Sequence, residues 1–188
     1  EVAKLERMQK VDLEQMAAML PSETPYLKTG VFSLAKNRIL WLLVLMLSAM
    51  ITGAILTRYE AAFAAMPLLV SFIPMITDTG GNAGSQSSTM VIRGMGLGEI
   101  EARDGLKVLW KEARVSLVVG CALAFVNFLR LLITNPGNPM VAATVSIALL
   151  FTVVLAKTIG GVLPILAKAC KADPAVMAAP LITTVVDA

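Results

Sequence analysis

Histidine is absent from the 188 residues, and cysteine occurs only twice. Any metal site must then use oxygen ligands or those two thiols, which argues against an imidazole-held zinc or copper centre. Cys121 falls in the middle of one apolar run and Cys170 near the end of another, with no metal-ligand or redox spacing. Both read as small buried hydrophobes. Charge is also scarce, at 15% of residues, where an ordinary soluble domain carries about 25%. Disorder requires low hydrophobicity and high charge. This chain is 57% hydrophobic, with a mean hydropathy of +0.77. Residues 1–30 are charged and contain no N-terminal apolar core, so they do not read as a cleavable signal. The chain opens on Glu1 and stops at Asp187-Ala188 inside an apolar run, as expected of a piece of a longer protein.

What is present is a series of long apolar stretches. The first runs from Ile39 to Thr57, 19 residues without a charge. As a helix it spans roughly 28 Å, about one hydrocarbon thickness. Further spans read as 61–92, 115–133, 140–163 and 174–188, the last still apolar where the sequence ends. The fold class expected is an all-α membrane protein of five transmembrane helices, the fifth cut short. Residues 31–188 would form the membrane domain.

The basic residues set the orientation. Thirteen of the sixteen fall before the first span, between the second and third, or between the fourth and fifth. The connection Thr134–Pro139 has no charge at all. By the positive-inside rule the N-terminus is cytoplasmic, in a multi-pass protein of the cell (inner) membrane. Residues 1–20 differ from the rest. Val2, Leu5, Met8, Leu13, Met16, Met19 and Leu20 recur at helical spacing, with Arg7, Lys10 and Glu14 opposite. This reads as a cytoplasmic amphipathic helix, lying on the membrane or connecting to another domain. With its linker it would occupy residues 1–30.

The second span carries polar chemistry. If Pro67–Arg93 is one helix, Ser71, Asp78, Asn82, Ser85 and Thr89 project within about 60° of one another. Gly80 and Gly84 form a G-x-x-x-G pair that lets another helix approach closely. Alternatively Pro74 and Gly80-Gly81 break the helix and expose backbone carbonyls, as in discontinuous transporter helices. Either way polar groups line a path, and Gly80, Gly81 and Gln86 belong to it. Asp78 is either a group on that path or a cap at the cytoplasmic helix end. In the fifth segment Pro180, Thr183, Thr184 and Asp187 share one face. Asp187, 13 residues past Pro174, would lie near the bilayer midplane, where a carboxylate must be hydrated, paired or bound to a cation. Oxygen ligands of this kind suit Mg²⁺, Ca²⁺ and Mn²⁺. Because Mg²⁺ sheds water reluctantly, a wide ring of oxygens around its hydration shell suffices. Lys157 either pairs with an intramembrane aspartate or snorkels toward the cytoplasmic face. Arg130 reads as reaching the headgroups, and Gly160-Gly161 with Pro164 as a kink.

The run DTGGNAGSQSSTMVIRGMGLGEI (Asp78–Ile100) resembles the signature of the MgtE family of magnesium channels. So do Gly160–Ala188 and, for the approach to the first membrane helix, Pro25–Met46. The resemblance covers essentially the whole chain. It implies a homodimer of five-helix subunits in the lipid bilayer, with helices two and five of both copies lining a pore on the two-fold axis. It implies that Asp187 of both subunits holds a hydrated Mg²⁺ and that Asn82 stands close to the ion. It identifies residues 1–20 as the family's plug helix and implies that the cytoplasmic sensor domains, the N domain and the CBS pair, are missing here. No nucleic-acid partner is implied.

The function expected is magnesium-selective conduction into the cytoplasm, with Mn²⁺ or Ca²⁺ able to occupy the same site. A secondary transporter exchanging Mg²⁺ for Na⁺ or H⁺ is the alternative. Asp78-Thr79-Gly80 spells the D-T-G of aspartic proteases, with Asp187 as a second carboxylate. A three-residue match is weak, and no enzyme is expected.

Overall fold

The computed structural model describes residues 26–171, 173–174 and 179–187. The amphipathic segment 1–20 lies outside the described residues, as do residues 175–178 of the fifth apolar stretch. Among the described residues there is no strand. A 3-10 turn at Tyr26–Lys28 precedes α1 (Val31–Arg58), α2 (Glu60–Ala65), α3 (Pro67–Val70) and α4 (Ile73–Gly96). A second 3-10 turn, Ala102–Asp104, leads into α5 (Gly105–Thr134), followed by α6 (Pro139–Ala169) and α7 (Ala179–Asp187).

Three of these helices are long and apolar enough to cross a membrane: Val31–Arg58, the stretch Ala102–Thr134, and Pro139–Ala169. The fourth helix is equally regular but falls outside that group because its polar stripe dilutes its hydropathy. None of the residues of α1 is buried, and among the described residues it packs mainly against α7, with a smaller contact to α2. Ile39, Leu43, Met50 and Ile55 on it are all exposed. A helix apolar on every side is at home among lipid tails or other apolar helices.

The core is a bundle of α4, α5 and α6, with α6 central and α7 laid against α4. Leu131, Val141, Ala142 and Val145 form the apolar cluster at one end. Ala83, Leu149 and Val153 fill the middle, and Val91, Met95, Val108 and Ile165 the other end. The hairpin between α5 and α6 is short, and Pro139 sits in the first turn of α6, where its missing N–H costs nothing. The helix then runs unbroken through Gly160, Gly161 and Pro164, all three buried.

The second apolar stretch breaks earlier than Gly80-Gly81. Met66 leaves the helical region at φ −140°, ψ 71°, because the residue before a proline is disfavoured there. A second interruption falls at Ser71–Phe72, and α4 restarts at Ile73 with Pro74 in its first turn. From there α4 is continuous through Gly80-Gly81 to Gly96. Pro74 therefore opens a helix, and the two glycines interrupt nothing. The end of α4 is closed by Gly98, whose φ of +75° suits a residue without Cβ. The Glu99 N–H donates to the Gly94 carbonyl at 2.8 Å.

Cys121 and Cys170 are exposed, not buried as small core residues would be. On α5 the buried residues are Val108, Ser116, Gly120, Asn127 and Leu131, and Cys121 lies off that stripe.

Candidate functional site

Two opposite faces of α4 define the site. The inner face carries Gly80, Gly81, Ala83, Gly84, Ser87 and Ser88, all buried. A Cβ placed on Gly80 would lie 2.6 Å from Thr152 Cγ2 and 2.7 Å from Val186 Cγ1. One on Gly81 would lie 3.0 Å from Thr183 Cγ2, and one on Gly84 2.9 Å from the Ala156 carbonyl oxygen. On α6, a Cβ at Gly160 would collide with the Gly84 carbonyl. Gly80-x-x-x-Gly84 thus meets Ala156-x-x-x-Gly160 with backbone against backbone, and α7 lies along the same glycines. Small residues permit this approach, and van der Waals packing then holds helices that lipid would not drive together. Gly80 and Gly81, grouped above with the polar path, sit on this packed face.

The outer face carries Asp78, Asn82, Gln86 and Thr89, all exposed, with Ser85 half-buried. The Asn82 side-chain amide donates to Asp78 Oδ2 at 3.2 Å, which holds the two polar groups together one turn apart. The Ser85 hydroxyl donates to the Gly81 carbonyl at 2.8 Å, a bond back along its own helix that leaves its lone pairs outward. Asn82, Ser85, Gln86, Thr89 and Met90 line an open groove of about 650 Å³. Ser71 does not belong to this stripe. It lies at the interruption before α4, exposed, with its hydroxyl on the Leu68 carbonyl at 2.7 Å.

The last helix contributes Thr183 (exposed), Thr184 (half-buried) and Asp187 (exposed), with Ile182 packed against Gly84 as its buried anchor. Among the described residues no three carboxylate or thiol groups gather where a metal could be held by them alone. What the chain offers an ion is a set of dispersed oxygens: amide and hydroxyl groups on α4 and a carboxylate on α7. Such a set suits a cation that keeps its water. The Asp78 carboxylate is engaged by Asn82 on the same helix, unlike the paired carboxyls of an aspartic protease, which share a proton with each other.

Lys157 is buried, at 5% exposure, and among the described residues it makes no ion pair. Two polar clusters have no counterpart in the sequence reading. Ser87 Oγ donates to Glu112 Oε2 at 2.6 Å, joining α4 to α5. Near the other end of the bundle, Asn127 Nδ2 donates to Ser146 Oγ at 3.2 Å. Arg130 Nη2 donates to Asn127 Oδ1 at 2.9 Å and also touches Met75 Sδ. The available signal was the stripe Glu112, Ser116, Gly120 and Asn127 on α5, small or polar at helical spacing inside an otherwise apolar helix.

Comparison with known proteins bears on the whole arrangement. The sequence model of the family described as "MgtE: Divalent cation transporter" matches residues 73–188, from the start of α4 to the end of the chain. The "Magnesium transporter MgtE" of Thermus thermophilus is 32% identical over 176 residues, 94% of this chain and 39% of that protein. The protein of the same name from Bacillus subtilis is 31% identical over 159 residues, 85% of this chain and 35% of that protein. The one from Enterococcus faecalis is 28% identical over 153 residues. The chain thus spans well under half the length of the relatives it matches. A family match over more than half of the chain, together with relatives at this identity, is sufficient: the chain belongs to the MgtE family of divalent cation transporters.

Proposed function

We propose that this chain is the membrane part of a magnesium channel that passes Mg²⁺ into the cytoplasm. One observation carries the reading. The α4 helix is packed on one face through its glycines, while its opposite face presents Asn82, Ser85, Gln86 and Thr89 to a groove that the described residues leave open. Polar groups on a helix among apolar helices are costly unless they face water, an ion or a partner.

In this reading two copies meet at a two-fold axis, and helices α4 and α7 of both line the pore. The interrupted α2–α3–α4 segment and α7 then complete five spans with α1, α5 and α6. The N-terminus is cytoplasmic, in the cell (inner) membrane, by the positive-inside rule. Asp187 of both copies faces one hydrated Mg²⁺. Two carboxylates give a field that favours divalent over monovalent cations. Asn82 and the Ser85 and Thr89 hydroxyls accept hydrogen bonds from the ion's water. Contact through water keeps binding weak enough for release, as conduction requires. Mn²⁺ and Ca²⁺, which also prefer oxygen, would enter the same site. Cytoplasmic sensor domains would join through residues 1–30.

The interruptions at Met66 and Ser71–Phe72 give the exchanger reading its support, because discontinuous helices are typical of coupled transporters. They lie before the polar face of α4 and not within it, which favours the channel. Mg²⁺ uptake into proteoliposomes, with and without a Na⁺ or pH gradient, tests both. Uptake independent of either gradient and reduced in Asp187→Ala is expected. Uptake that requires a counter-ion gradient would replace the channel by an exchanger. An unchanged Mg²⁺ over Na⁺ preference in Asp187→Ala would remove Asp187 from the ion site.

A further inference from the structure

The first three turns of α5 carry a cluster that the ion path does not use. Trp110 is 65% exposed, and the Arg114 guanidinium lies over its ring at 5.6 Å from the centroid. Lys111 is exposed beside them. Two cations just before and within the first turn of α5 are already occupied. Arg103 is paired with Glu101 and Lys107 with Asp104, each at 2.8 Å. Glu112 is turned to the opposite side, onto Ser87. Lys111 and Arg114 are therefore two cations flanking an indole with no carboxylate partner among the described residues.

Their place on the helix says what they face. Trp110, Lys111, Arg114, Val118 and Phe125 fall on one face about 100° wide. Above Arg114 that face is apolar and bare, with Val118 72% and Phe125 62% exposed. Trp110 lies roughly 22 Å below Phe125 along the axis, at the end of the apolar run that begins with Val115. Indole rings collect where hydrocarbon meets headgroups. A guanidinium stacked on the ring is held in that layer and still keeps N–H donors free for phosphate oxygens.

We propose that Trp110, Lys111 and Arg114 form a binding site for an anionic phospholipid headgroup in the cytoplasmic leaflet. The lipid chains lie along Val118 and Phe125. Its phosphate sits between Lys111 and Arg114, with Trp110 as the floor. The charges match, and the apolar stripe continues directly from the basic pair. Each cation near an anionic surface favours binding by about five-fold.

The test uses the indole itself. Trp41 and Trp110 are the two tryptophans, so Trp41→Phe leaves Trp110 as the sole reporter. The chain is reconstituted in phosphatidylcholine vesicles containing a small fraction of either brominated phosphatidylglycerol or brominated phosphatidylcholine. Bromine quenches indole fluorescence only on contact. Several-fold stronger quenching by the phosphatidylglycerol is expected, lost in the Lys111→Gln/Arg114→Gln double variant and retained in Lys111→Arg. Equal quenching by the two lipids, or a preference that survives the double variant, would overturn the site. No quenching by either would mean that protein, such as an acidic segment or a second copy, covers the indole, and would overturn it too. The readout requires no transport, so it stands or falls apart from the channel reading.

Discussion

Ser87 on α4 and Glu112 on α5 are joined by a 2.6 Å hydrogen bond between side chains 25 residues apart. Ser87 is 2% exposed, and Gly161 of α6 supplies the space. A Cβ at Gly161 would lie 2.7 Å from Glu112 Cγ. The bond ties α4 to α5 at the residue next to Gln86, which lines the open groove. A hydrogen bond to a charged group contributes about 1.5–3 kcal/mol in water, and side-chain bonds between membrane helices average nearer about 0.6 kcal/mol. Glu112→Ala is therefore expected to destabilise by about 1–2 kcal/mol, since it also strands the Ser87 hydroxyl. Glu112→Gln keeps an acceptor oxygen and should lose less than half of that. Denaturant unfolding in detergent micelles measures both. Equal midpoints for Glu112→Ala and the unsubstituted chain would show that the bond holds nothing.

The crossing of α4 and α6 leaves no room for a methyl group at Gly160, whose Cβ would overlap the Gly84 carbonyl. A backbone atom cannot swing aside as a flexible side chain can. Gly160→Ala should cost about 1–3 kcal/mol, the usual range for overpacking. Gly96 at the end of α4 has nothing within 4 Å of the same position. Gly96→Ala should be neutral, or stabilising by up to about 1 kcal/mol through helix propensity. Thermal unfolding of the two variants side by side separates packing from propensity. A Gly160→Ala chain as stable as Gly96→Ala would contradict the backbone contact.

The hairpin of α5 and α6 has a polar lock near its turn. Asn127 and Ser146, 6% and 5% exposed, share a hydrogen bond, and Asn127 also accepts from Arg130. One side chain bonds two neighbours, so its removal breaks two hydrogen bonds, one of them to the buried Ser146. Asn127→Ala should destabilise more than Ser146→Ala. A double-mutant cycle between the two should give a coupling of about 0.6 kcal/mol, and no more than about 1.7 kcal/mol. A coupling of zero would mean that the two groups are satisfied independently.

Much of this could be read from residue order, and the failures have physical causes. Long apolar runs with at most one charge each marked α1, α5 and α6, because an 18-residue apolar window depends only on composition. The Gly80/Gly84 pair marked a packing face, since absent side chains are visible in a sequence. Its partner Ala156/Gly160 was missed: Gly160-Gly161 invites reading as a kink, and which helix meets which is a tertiary fact. The same limit hid Ser87–Glu112. A glutamate two turns inside a helix looks like an interfacial charge until α4 supplies its donor. Pro74 signalled an interruption, but the break at Met66 ahead of Pro67 was not read, and only the structure shows that the chain resumes helix before the glycines and carries it through them. Asn82, Ser85 and Thr89 fell on one face because helical periodicity is local. Ser71 was grouped with them only by extending that periodicity through a break.

The two faces of α4 make the sharpest prediction. Gln86 is exposed on the groove, whereas Ser88, two residues on, has no exposure at all. In a background of Cys121→Ala and Cys170→Ala, which removes the two native thiols, single cysteines at these positions report accessibility directly. A charged, water-soluble maleimide should label Gln86→Cys at least about ten-fold faster than Ser88→Cys, because such a reagent attacks a hydrated thiolate. If the groove is the ion path, millimolar Mg²⁺ should slow labelling of Gln86→Cys and of Asn82→Cys, and leave an exposed residue off the path, such as Leu106→Cys, unchanged. Equal rates at positions 86 and 88 would mean that α4 is rotated from the orientation described. Fast labelling at position 86 without Mg²⁺ protection would keep the orientation and remove the ion from this groove.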